Sequence, residues 1–200
     1  QIFESKNINF ILINDIIPSI KNIAYLLKYD STYGRFPYEI ICKKKELEIN
    51  KKKTQYSSKK NIYKINYKNK NIDVLIDSSG VEENINLAER LIKEKKIKSY
   101  IFTMSSNLID KEIVIGFNDY QLKKSKVFSS SICDANAISH FLNYFEKKYK
   151  IISGSVTTLH PWLSYQNLLD GAAKGIGPDP NKYTPKLKKN VHLINNFAIG

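Results

Sequence analysis

The sequence predicts an α/β fold: a doubly wound, mostly parallel sheet. Short apolar segments rich in Ile and Val alternate with segments whose apolar residues recur at helical spacing. Polar residues or glycine directly follow several of the apolar segments. A cysteine lies where one apolar segment passes into a helical one. Together these observations indicate strands that alternate with helices, with chemistry at the strand ends.

The first strand and helix lie near the start of the chain. Asn9 to Ile13 is an apolar segment that ends in Asn14 and Asp15, and Pro18 then opens a predicted helix. Dinucleotide-binding folds use an acidic residue at the carboxyl end of a parallel strand to hold a ribose by its hydroxyls. An Asp before a helix is also a common helix cap. Asp15 alone therefore does not decide between the two roles.

Charged hairpins and a second strand, helix and strand follow. Short Ile- and Lys-rich strands are predicted up to about Lys53. Further elements are then predicted as a strand at Asp73–Asp77 leading into Ser79 and Gly80, a helix at Val81–Lys95 and a strand at Ser99–Thr103. Ligands of open α/β sheets bind at the carboxyl ends of the strands. The placement of Asp15, Ser79, Gly80 and Thr103 at such ends predicts a dinucleotide-binding sheet.

Cys133 is predicted to begin a helix. Apolar residues precede it at alternating positions and follow it at helical spacing, with Glu112–Gly116 and Lys126–Ser130 as extended segments before it. A helix N-terminus favours a thiolate over a thiol. A returning strand at Ile151–Leu159 is expected to end at His160, which predicts a Cys-His pair for nucleophilic catalysis. The alternative is a structural cysteine with an unrelated histidine.

Composition limits the partners. The chain has 200 residues, a formal charge of +13 and two cysteines. It contains no apolar run of the roughly 20 residues that a membrane span requires, so we expect a cytoplasmic protein without disulfides. The basic residues occur in short scattered runs, which argues against nucleic acid as a partner. His140 and His192 fit no metal-ligand spacing, and we expect no metal.

Several motifs occur in one order along the chain. They are Ile13-Asn-Asp15, Ile23-Ala-Tyr-Leu-Leu-Lys-Tyr-Asp-Ser-Thr-Tyr-Gly-Arg-Phe36, Asp77-Ser-Ser-Gly80, Ser131-Ile-Cys-Asp-Ala-Asn136 and Thr157-Thr-Leu-His160. In this order the sequence resembles the phosphorylating glyceraldehyde-3-phosphate dehydrogenases. His160 lies 27 residues after Cys133, which is the separation of nucleophile and histidine in that family.

The resemblance implies an NAD-dependent enzyme that oxidises an aldehyde, with or without a phosphate group, through a thiohemiacetal and thioester on Cys133. His160 would be its general base and acid. The resemblance also implies a homotetramer. The residues that it places around NAD are Asn14, Asp15, Lys60, Ser79, Gly80 and Thr103.

The substrate-binding positions depart from the family pattern. Ile132 stands where the family has a serine before the nucleophile, Asp134 and Ala135 stand where it has two threonines, and Leu163 replaces a threonine after the histidine. Hydroxyls that donate to phosphate are thus replaced by apolar groups and a carboxylate. We expect an altered phosphate site. The alternative is a catalytically impaired relative that binds NAD or a polyanion.

The resemblance also divides the chain. Residues 1–132 would form the NAD-binding domain without its first strand and glycine-rich turn, and residues 133–200 would be the start of a truncated α+β catalytic domain. The family seats the pyrophosphate of NAD on that glycine-rich turn.

Overall fold

The structure is a computed structural model that describes residues 5, 7–30, 33–160 and 198–199. It forms two compact units. The first unit comprises Gln1–Ser58 and Ser155–Gly200, and the second comprises Lys59–Gly154.

The first unit is built on a four-stranded mixed sheet. Its elements are β1 (Leu12–Asn14), α1 (Ile20–Lys28), β2 (Tyr29–Asp30), β3 (Gly34–Arg35), β4 (Ile40–Lys43), β5 (Glu46–Ile49) and β6 (Lys52–Ser57), followed late in the chain by β10 (Leu159–His160) and β11 (Ala198–Ile199). The strand order is β1-β6-β5-β4, with β1 parallel to β6 and antiparallel pairs between the others. The predicted charged hairpins are confirmed.

Helix α1 packs its apolar face on this sheet. Ile23 and Ala24 are buried together with Leu47 and Ile49 of β5, whose alternate side chains point into the core. The hydroxyl of Ser19 accepts a hydrogen bond from the backbone N–H of Asn22 at 3.4 Å. Serine therefore caps the helix. The helix starts after Pro18, and the prediction that proline opens it was wrong by this one capping residue.

The second unit is built on a three-stranded parallel sheet. Its elements are β7 (Ile72–Asp77), α2 (Glu83–Lys93), β8 (Ile97–Phe102), β9 (Val127–Ser129) and α3 (Cys133–Tyr149). The order is β7-β8-β9, and both pairs are parallel. Tyr100 and Phe102 of β8 and Leu91 of α2 are fully buried in its core. Burial of each such side chain contributes about 2 kcal/mol. Strand, helix and parallel strand follow one another as predicted.

Helix α2 ends in a turn with a left-handed residue. Lys95 has φ of 56°. Its N–H donates to the Ile92 carbonyl at 3.0 Å, and the N–H of Lys96 donates to the Leu91 carbonyl at 2.9 Å. These two bonds form a Schellman motif. The motif ends the helix two residues earlier than the apolar spacing predicted.

Two predicted extended segments differ from the structure. In Glu112–Gly116 only Glu112 makes a bridge, to Ser129, and a turn follows because Gly116 has φ of 80°. In the segment from Ile151 to Leu159, residues 151–158 have no regular structure and only Leu159 and His160 form a strand, β10. Ile152 is 99% exposed. A strand needs a neighbouring strand to which it can hydrogen-bond and an apolar surface of the protein against which it can pack. Alternation of apolar residues in the sequence provides neither of these.

Candidate functional site

The predicted cofactor residues of both units lie at carboxyl ends of parallel strands. In the first unit, Asn14 closes β1 opposite Ser57, and Asp15 follows it. In the second unit, Ser79 and Gly80 follow β7 and Thr103 follows β8. The predicted strand ends are therefore confirmed within each unit. Lys60 is an exposed loop residue before the turn that leads to β7, and its placement beside adenine stays a prediction.

Asp15 extends the β1 ladder and starts the turn into α1. Its N–H donates to the Ser57 carbonyl at 3.1 Å, and its Oδ1 accepts from the N–H of Ile17 at 2.9 Å. Its Oδ2 has no hydrogen-bond partner within the described residues. The Tyr56 hydroxyl donates to the Ile17 carbonyl. Burial, and then the charge of Asp15, raises the pKa of Tyr56. Asp15 thus organises the turn with one oxygen and keeps the other for a donor.

The turn after β7 is organised by Asp77, a buried carboxylate that the sequence interpretation assigned only to the strand. Its Oδ1 accepts from the N–H of Ser79 at 2.8 Å. Its Oδ2 accepts from Asn84 Nδ2 at 2.9 Å and from the Tyr100 hydroxyl at 2.8 Å. Asn84 Nδ2 also reaches Ser79 Oγ at 3.2 Å. A buried carboxylate that receives three donors is stabilised without a cation. The network fixes the conformation of the Ser79 turn.

Gly80 and Thr103 lie at the same corner of the second unit. Gly80 has φ of 71°, and a Cβ there would lie 3.2 Å from Met104 Sδ. Both the left-handed backbone and the close sulfur favour glycine. The N–H of Thr103 donates to the Asp77 carbonyl at 3.0 Å. The structure therefore brings Ser79, Gly80 and Thr103 together around Asp77.

These groups are chemically compatible with a dinucleotide. The open carboxylate oxygen of Asp15 can accept hydrogen bonds from ribose hydroxyls. Gly80 presents backbone without a side chain, which allows a ligand to approach closely. Ser79 Oγ accepts from Val81 N–H and Asn84 Nδ2, so its own proton can be donated to a ligand. Within each unit taken by itself, the donors and acceptors at the strand end therefore fit part of a dinucleotide.

Cys133 is the first residue of α3 and is exposed. The residue before it, Ile132, occupies the N-cap in an extended conformation and provides no side-chain cap. Asn136 Nδ2 donates to the carbonyls of Ser130 and Ile132, each at 2.9 Å. The thiol is thus presented at a helix N-terminus whose preceding loop is tied to the first turn. This position of Cys133 confirms the predicted start of the helix.

The loop before Cys133 is strained and internally braced. Ser131 is buried with φ of 61°, a conformation that costs a non-glycine residue about 1 kcal/mol. Its N–H donates to Ser129 Oγ at 2.8 Å, and Ser129 Oγ donates to the Met104 carbonyl at 2.6 Å. Ser131 Oγ lies 3.4 Å from Glu112 Oε2, and Ser105 Oγ also donates to Glu112. Sequence patterns did not single out Glu112, because its role depends on pairing with Ser129 across the chain.

Asp134 occupies the first turn of α3. A carboxylate there is stabilised by the positive end of the helix dipole, so it has an ordinary structural role. Its charge also opposes a thiolate on the neighbouring Cys133. Ile132 is 44% exposed and can contact a ligand. Leu163 and His192 lie outside the described residues.

The predicted nucleophile and its partner belong to different units. Cys133 lies in the second unit, and His160 lies in the first as the last residue of β10. Their pairing stays a prediction. The other cysteine, Cys42, is half-buried in β4, and both cysteines are free. His140 is exposed. Within the described residues there is no cluster suited to a metal ion, and no helix is long and apolar enough to cross a membrane.

Comparison with known proteins identifies the relatives of the chain. Residues 1–85 match the family model described as glyceraldehyde 3-phosphate dehydrogenase, NAD binding domain. The glyceraldehyde-3-phosphate dehydrogenase of Buchnera aphidicola is 34% identical over 86% of the chain and 51% of the relative. The same enzyme of Thermotoga maritima is 33% identical over 84% of the chain and 51% of the relative, and that of Chlamydia pneumoniae is 27% identical over 85% and 51%.

The chain is similar to the glyceraldehyde-3-phosphate dehydrogenases over most of its length. It spans about half the length of the curated relatives that it matches. The match confirms the predicted resemblance, the α/β fold class and NAD as the cofactor of the matched domain. The strand-end residues Asp15, Ser79 and Gly80 all fall within the range that matches the family model.

Proposed function

We propose that the protein to which this chain belongs is an NAD-dependent dehydrogenase that oxidises an aldehyde through a covalent intermediate on Cys133. The observation that carries the proposal is the exposed thiol at the first position of α3, preceded by a braced loop. Unpaired N–H groups and the dipole at a helix N-terminus stabilise a thiolate, which is the nucleophilic form. The match to an NAD-binding domain supports oxidation rather than hydrolysis.

The proposed steps assign one role to each residue. The Cys133 thiolate adds to the aldehyde carbonyl and forms a thiohemiacetal, whose oxygen takes a proton from protonated His160. His160 takes that proton back as the thiohemiacetal collapses to a thioester. NAD, when bound, takes up the hydride that this oxidation releases. Phosphate or water then displaces the acyl group and regenerates the Cys133 thiolate. His160 releases the proton gained in the oxidation to solvent and then takes the proton of the acyl acceptor, which restores the starting pair of Cys133 thiolate and protonated His160.

The cofactor residues are assigned by strand end. Asp15 would accept hydrogen bonds from the adenosine ribose hydroxyls, with Asn14 beside it at the end of β1. Ser79 and Gly80 would line the adenine and ribose side. Thr103 would lie toward the nicotinamide. Support comes from the open Oδ2 of Asp15 and from the left-handed backbone of Gly80. Lys60 beside the adenine is the remaining assignment.

The proposed substrate-binding residues favour a different aldehyde from the phosphorylated one that is usual in the family. Ile132 and Asp134 flank Cys133, and Leu163 lies three residues after His160. An exposed apolar side chain and a carboxylate beside the nucleophile disfavour a phosphate dianion. We therefore propose an aldehyde that is bound with less dependence on a phosphate group than is usual in the family.

The proposals for the domains and the assembly rest on the resemblance to the family. We propose that residues 1–132 belong to the NAD-binding domain and residues 133–200 begin the catalytic domain. We also propose a cytoplasmic homotetramer. Sedimentation velocity of the full-length protein tests the tetramer, and a dimer or monomer at micromolar concentration would reject it.

Substitution of each cysteine separately tests the proposed nucleophile. In the full-length protein we expect Cys133→Ser to reduce the rate of aldehyde-dependent NADH formation by about a thousandfold or more, since an alcohol is a far weaker nucleophile than a thiolate. Cys42→Ser is the matched control, because Cys42 is half-buried within β4. An unchanged rate in Cys133→Ser would reject the mechanism.

The second candidate function is NAD binding without dehydrogenase activity, and Asp134 favours it because its charge opposes the thiolate. The rate of Cys133 alkylation by iodoacetamide as a function of pH distinguishes the two functions. Alkylation that is already fast near pH 6 supports the enzyme. Alkylation that rises only above about pH 8, as for an ordinary thiol, supports the binding protein.

A further inference from the structure

The second unit has an open pocket at the amino ends of its parallel strands. Its volume is about 430 Å³. It lies where the strands begin, whereas Ser79 and Thr103 lie where the strands end. Five lysines from three segments of the chain line it: Lys70, then Lys95, Lys96 and Lys98, and then Lys126. We call this the lysine pocket. Ile72 and Ile97, the first residues of β7 and β8, form part of its floor.

Carboxylates neutralise only part of this charge. Lys96 is paired with Glu94 at 2.8 Å, and Lys98 is paired with Asp73 at 2.5 Å. Lys70, Lys95 and Lys126 have no carboxylate partner among the residues that the structure describes. Three lysines without a carboxylate partner among the described residues thus line one concavity. Each raises the electrostatic cost of the others, and an anion in the pocket would remove that cost.

Backbone hydrogen bonds hold the three unpaired lysines in defined segments. Lys95 sits in the left-handed turn that ends α2. The N–H of Lys70 donates to the Tyr67 carbonyl at 3.1 Å, in a turn where Asn69 has φ of 58°. The carbonyl of Lys126 accepts from the N–H of Tyr100 at 2.8 Å. The lysine side chains are flexible, but their points of attachment are fixed around the pocket.

The dipole of α2 explains only some of these lysines. The carboxyl end of a helix carries roughly half a negative charge, which favours cations within its last turn. This accounts for lysines at positions 95 and 96. It does not account for Lys70, which precedes β7, or for Lys126, which precedes β9. These two residues reach the same pocket from other connections, so the convergence calls for an external anion.

We propose that the lysine pocket binds an oligophosphate, and this is independent of the proposed dehydrogenase activity. A single phosphate would occupy a small part of about 430 Å³, which lies in the range of small-molecule sites. Successive phosphates of an oligophosphate can each meet a different ammonium group. A nucleoside triphosphate and an inorganic phosphate chain share this chemistry. Ile92, which is half-buried and lines the pocket, would favour the nucleoside form by contact with its base.

Titration calorimetry of the full-length protein with inorganic tripolyphosphate tests the proposal. We expect saturable binding that weakens as sodium chloride is raised, because the contacts are electrostatic. The triple variant Lys70→Gln, Lys95→Gln, Lys126→Gln should bind about tenfold more weakly or worse, since three charge pairs are lost. The matched control is Lys21→Gln, Lys44→Gln, Lys45→Gln. It removes the same charge from exposed lysines of the first unit and should bind as the parent does.

Other outcomes would overturn the proposal. The proposal is wrong if both triple variants lose the same amount of binding, or if NAD displaces tripolyphosphate. It is also wrong if the protein binds a single-stranded oligonucleotide but does not bind tripolyphosphate. If circular dichroism shows that the triple variant is misfolded, the three single glutamine variants replace it, and each should weaken binding measurably. ATP identifies the source of the phosphates. Tighter binding of ATP than of tripolyphosphate assigns a nucleotide, and equal binding assigns an inorganic chain.

Discussion

The hydroxyl of Tyr100 donates a 2.8 Å hydrogen bond to Oδ2 of Asp77, and both side chains are buried. Tyr100 lies in the middle of β8, whereas Asp77 closes β7 and holds the Ser79 turn with its other oxygen. A core residue of one strand therefore supports the candidate cofactor turn of the neighbouring strand. Its loss should affect stability and cofactor binding together.

Tyr100→Phe removes this donor and leaves the buried carboxylate with fewer hydrogen bonds. We expect a loss of about 1–3 kcal/mol in the free energy of unfolding, measured by urea denaturation. Tyr63→Phe is the matched control, because the Tyr63 hydroxyl donates to the exposed Glu94 at 2.5 Å. That substitution should cost less than about 1 kcal/mol. Equal losses in the free energy of unfolding of the two variants would show that the buried hydrogen bond of Tyr100 stabilises the protein no more than the exposed one of Tyr63.

Alkaline pH should destabilise the second unit through its buried tyrosines. Burial, and then the negative charge of Asp77, raises the pKa of both Tyr67 and Tyr100. Both are protonated in the folded state when tyrosines of the unfolded chain begin to ionise, near pH 10. The unfolded state then binds fewer protons, so stability is retained below pH 10 and falls as pH rises above it. Urea unfolding from pH 8 to pH 11 should show this fall, and Tyr100→Phe should make it shallower.

Local patterns predicted the strands, the helices and the strand-end residues well. Apolar spacing and the acid after β1 were sufficient to place Asp15, and the strand-to-helix change placed Cys133. Features that depend on partners distant in the sequence could not be predicted in this way. The hydrogen bonds of Asp77 to Asn84 and Tyr100 join separate elements.

The lysines show the same limit. Their runs looked scattered along the sequence, yet the parallel sheet brings Lys70, Lys95 and Lys126 to one edge. A lysine close to the start of each of the three parallel strands is the signal that could have revealed this. The segment from Ile151 to Leu159 shows the reverse error, because its apolar pattern predicted a strand and residues 151–158 have no regular structure.

Gly80→Ala should weaken NAD binding and strain the turn after β7, while the rest of the fold is retained. The new Cβ combines a left-handed backbone, φ of 71°, with a 3.2 Å approach to Met104 Sδ. We expect about 1–2 kcal/mol of strain and a raised Kd for NAD. Gly34→Ala separates the two causes, since Gly34 has φ of 74° and no atom within 4 Å of the new Cβ. That control should carry the backbone strain alone and leave NAD affinity unchanged.

Asp15→Asn tests the ribose assignment with little structural change. Asparagine retains a carbonyl oxygen that can accept from the Ile17 N–H, as Oδ1 does at 2.9 Å. It replaces the open, charged oxygen with a neutral group. Hydrogen bonds to charged groups contribute about 1.5–3 kcal/mol, so the Kd for NAD should rise about tenfold or more in fluorescence titrations. Asp73→Asn, which alters an exposed ion pair with Lys98, should not change it. An unaltered Kd in Asp15→Asn would reject the assignment.

Asp134→Thr should shift substrate preference toward phosphorylated aldehydes. The carboxylate lies in the first turn of α3, next to Cys133, where under the proposed function it would repel a phosphate group on the substrate and oppose the thiolate. Threonine removes the charge and adds a hydroxyl donor. We expect the ratio of kcat/KM for glyceraldehyde 3-phosphate to that for glyceraldehyde to rise about tenfold, equivalent to about 1.4 kcal/mol.

Asp134→Thr also removes a favourable charge from the N-terminus of α3, which should lower the free energy of unfolding by about 0.3–1 kcal/mol. A loss of this size should leave the protein folded, so it would not account for a changed preference between the two aldehydes. Asp119→Thr provides the control, because Asp119 is an exposed acid in the first turn of the short 3-10 helix Asp119–Lys124 of the second unit. A ratio that stays constant in Asp134→Thr would mean that this carboxylate does not determine the choice of aldehyde. Exclusion of phosphate would then have to come from apolar contacts such as the exposed Ile132.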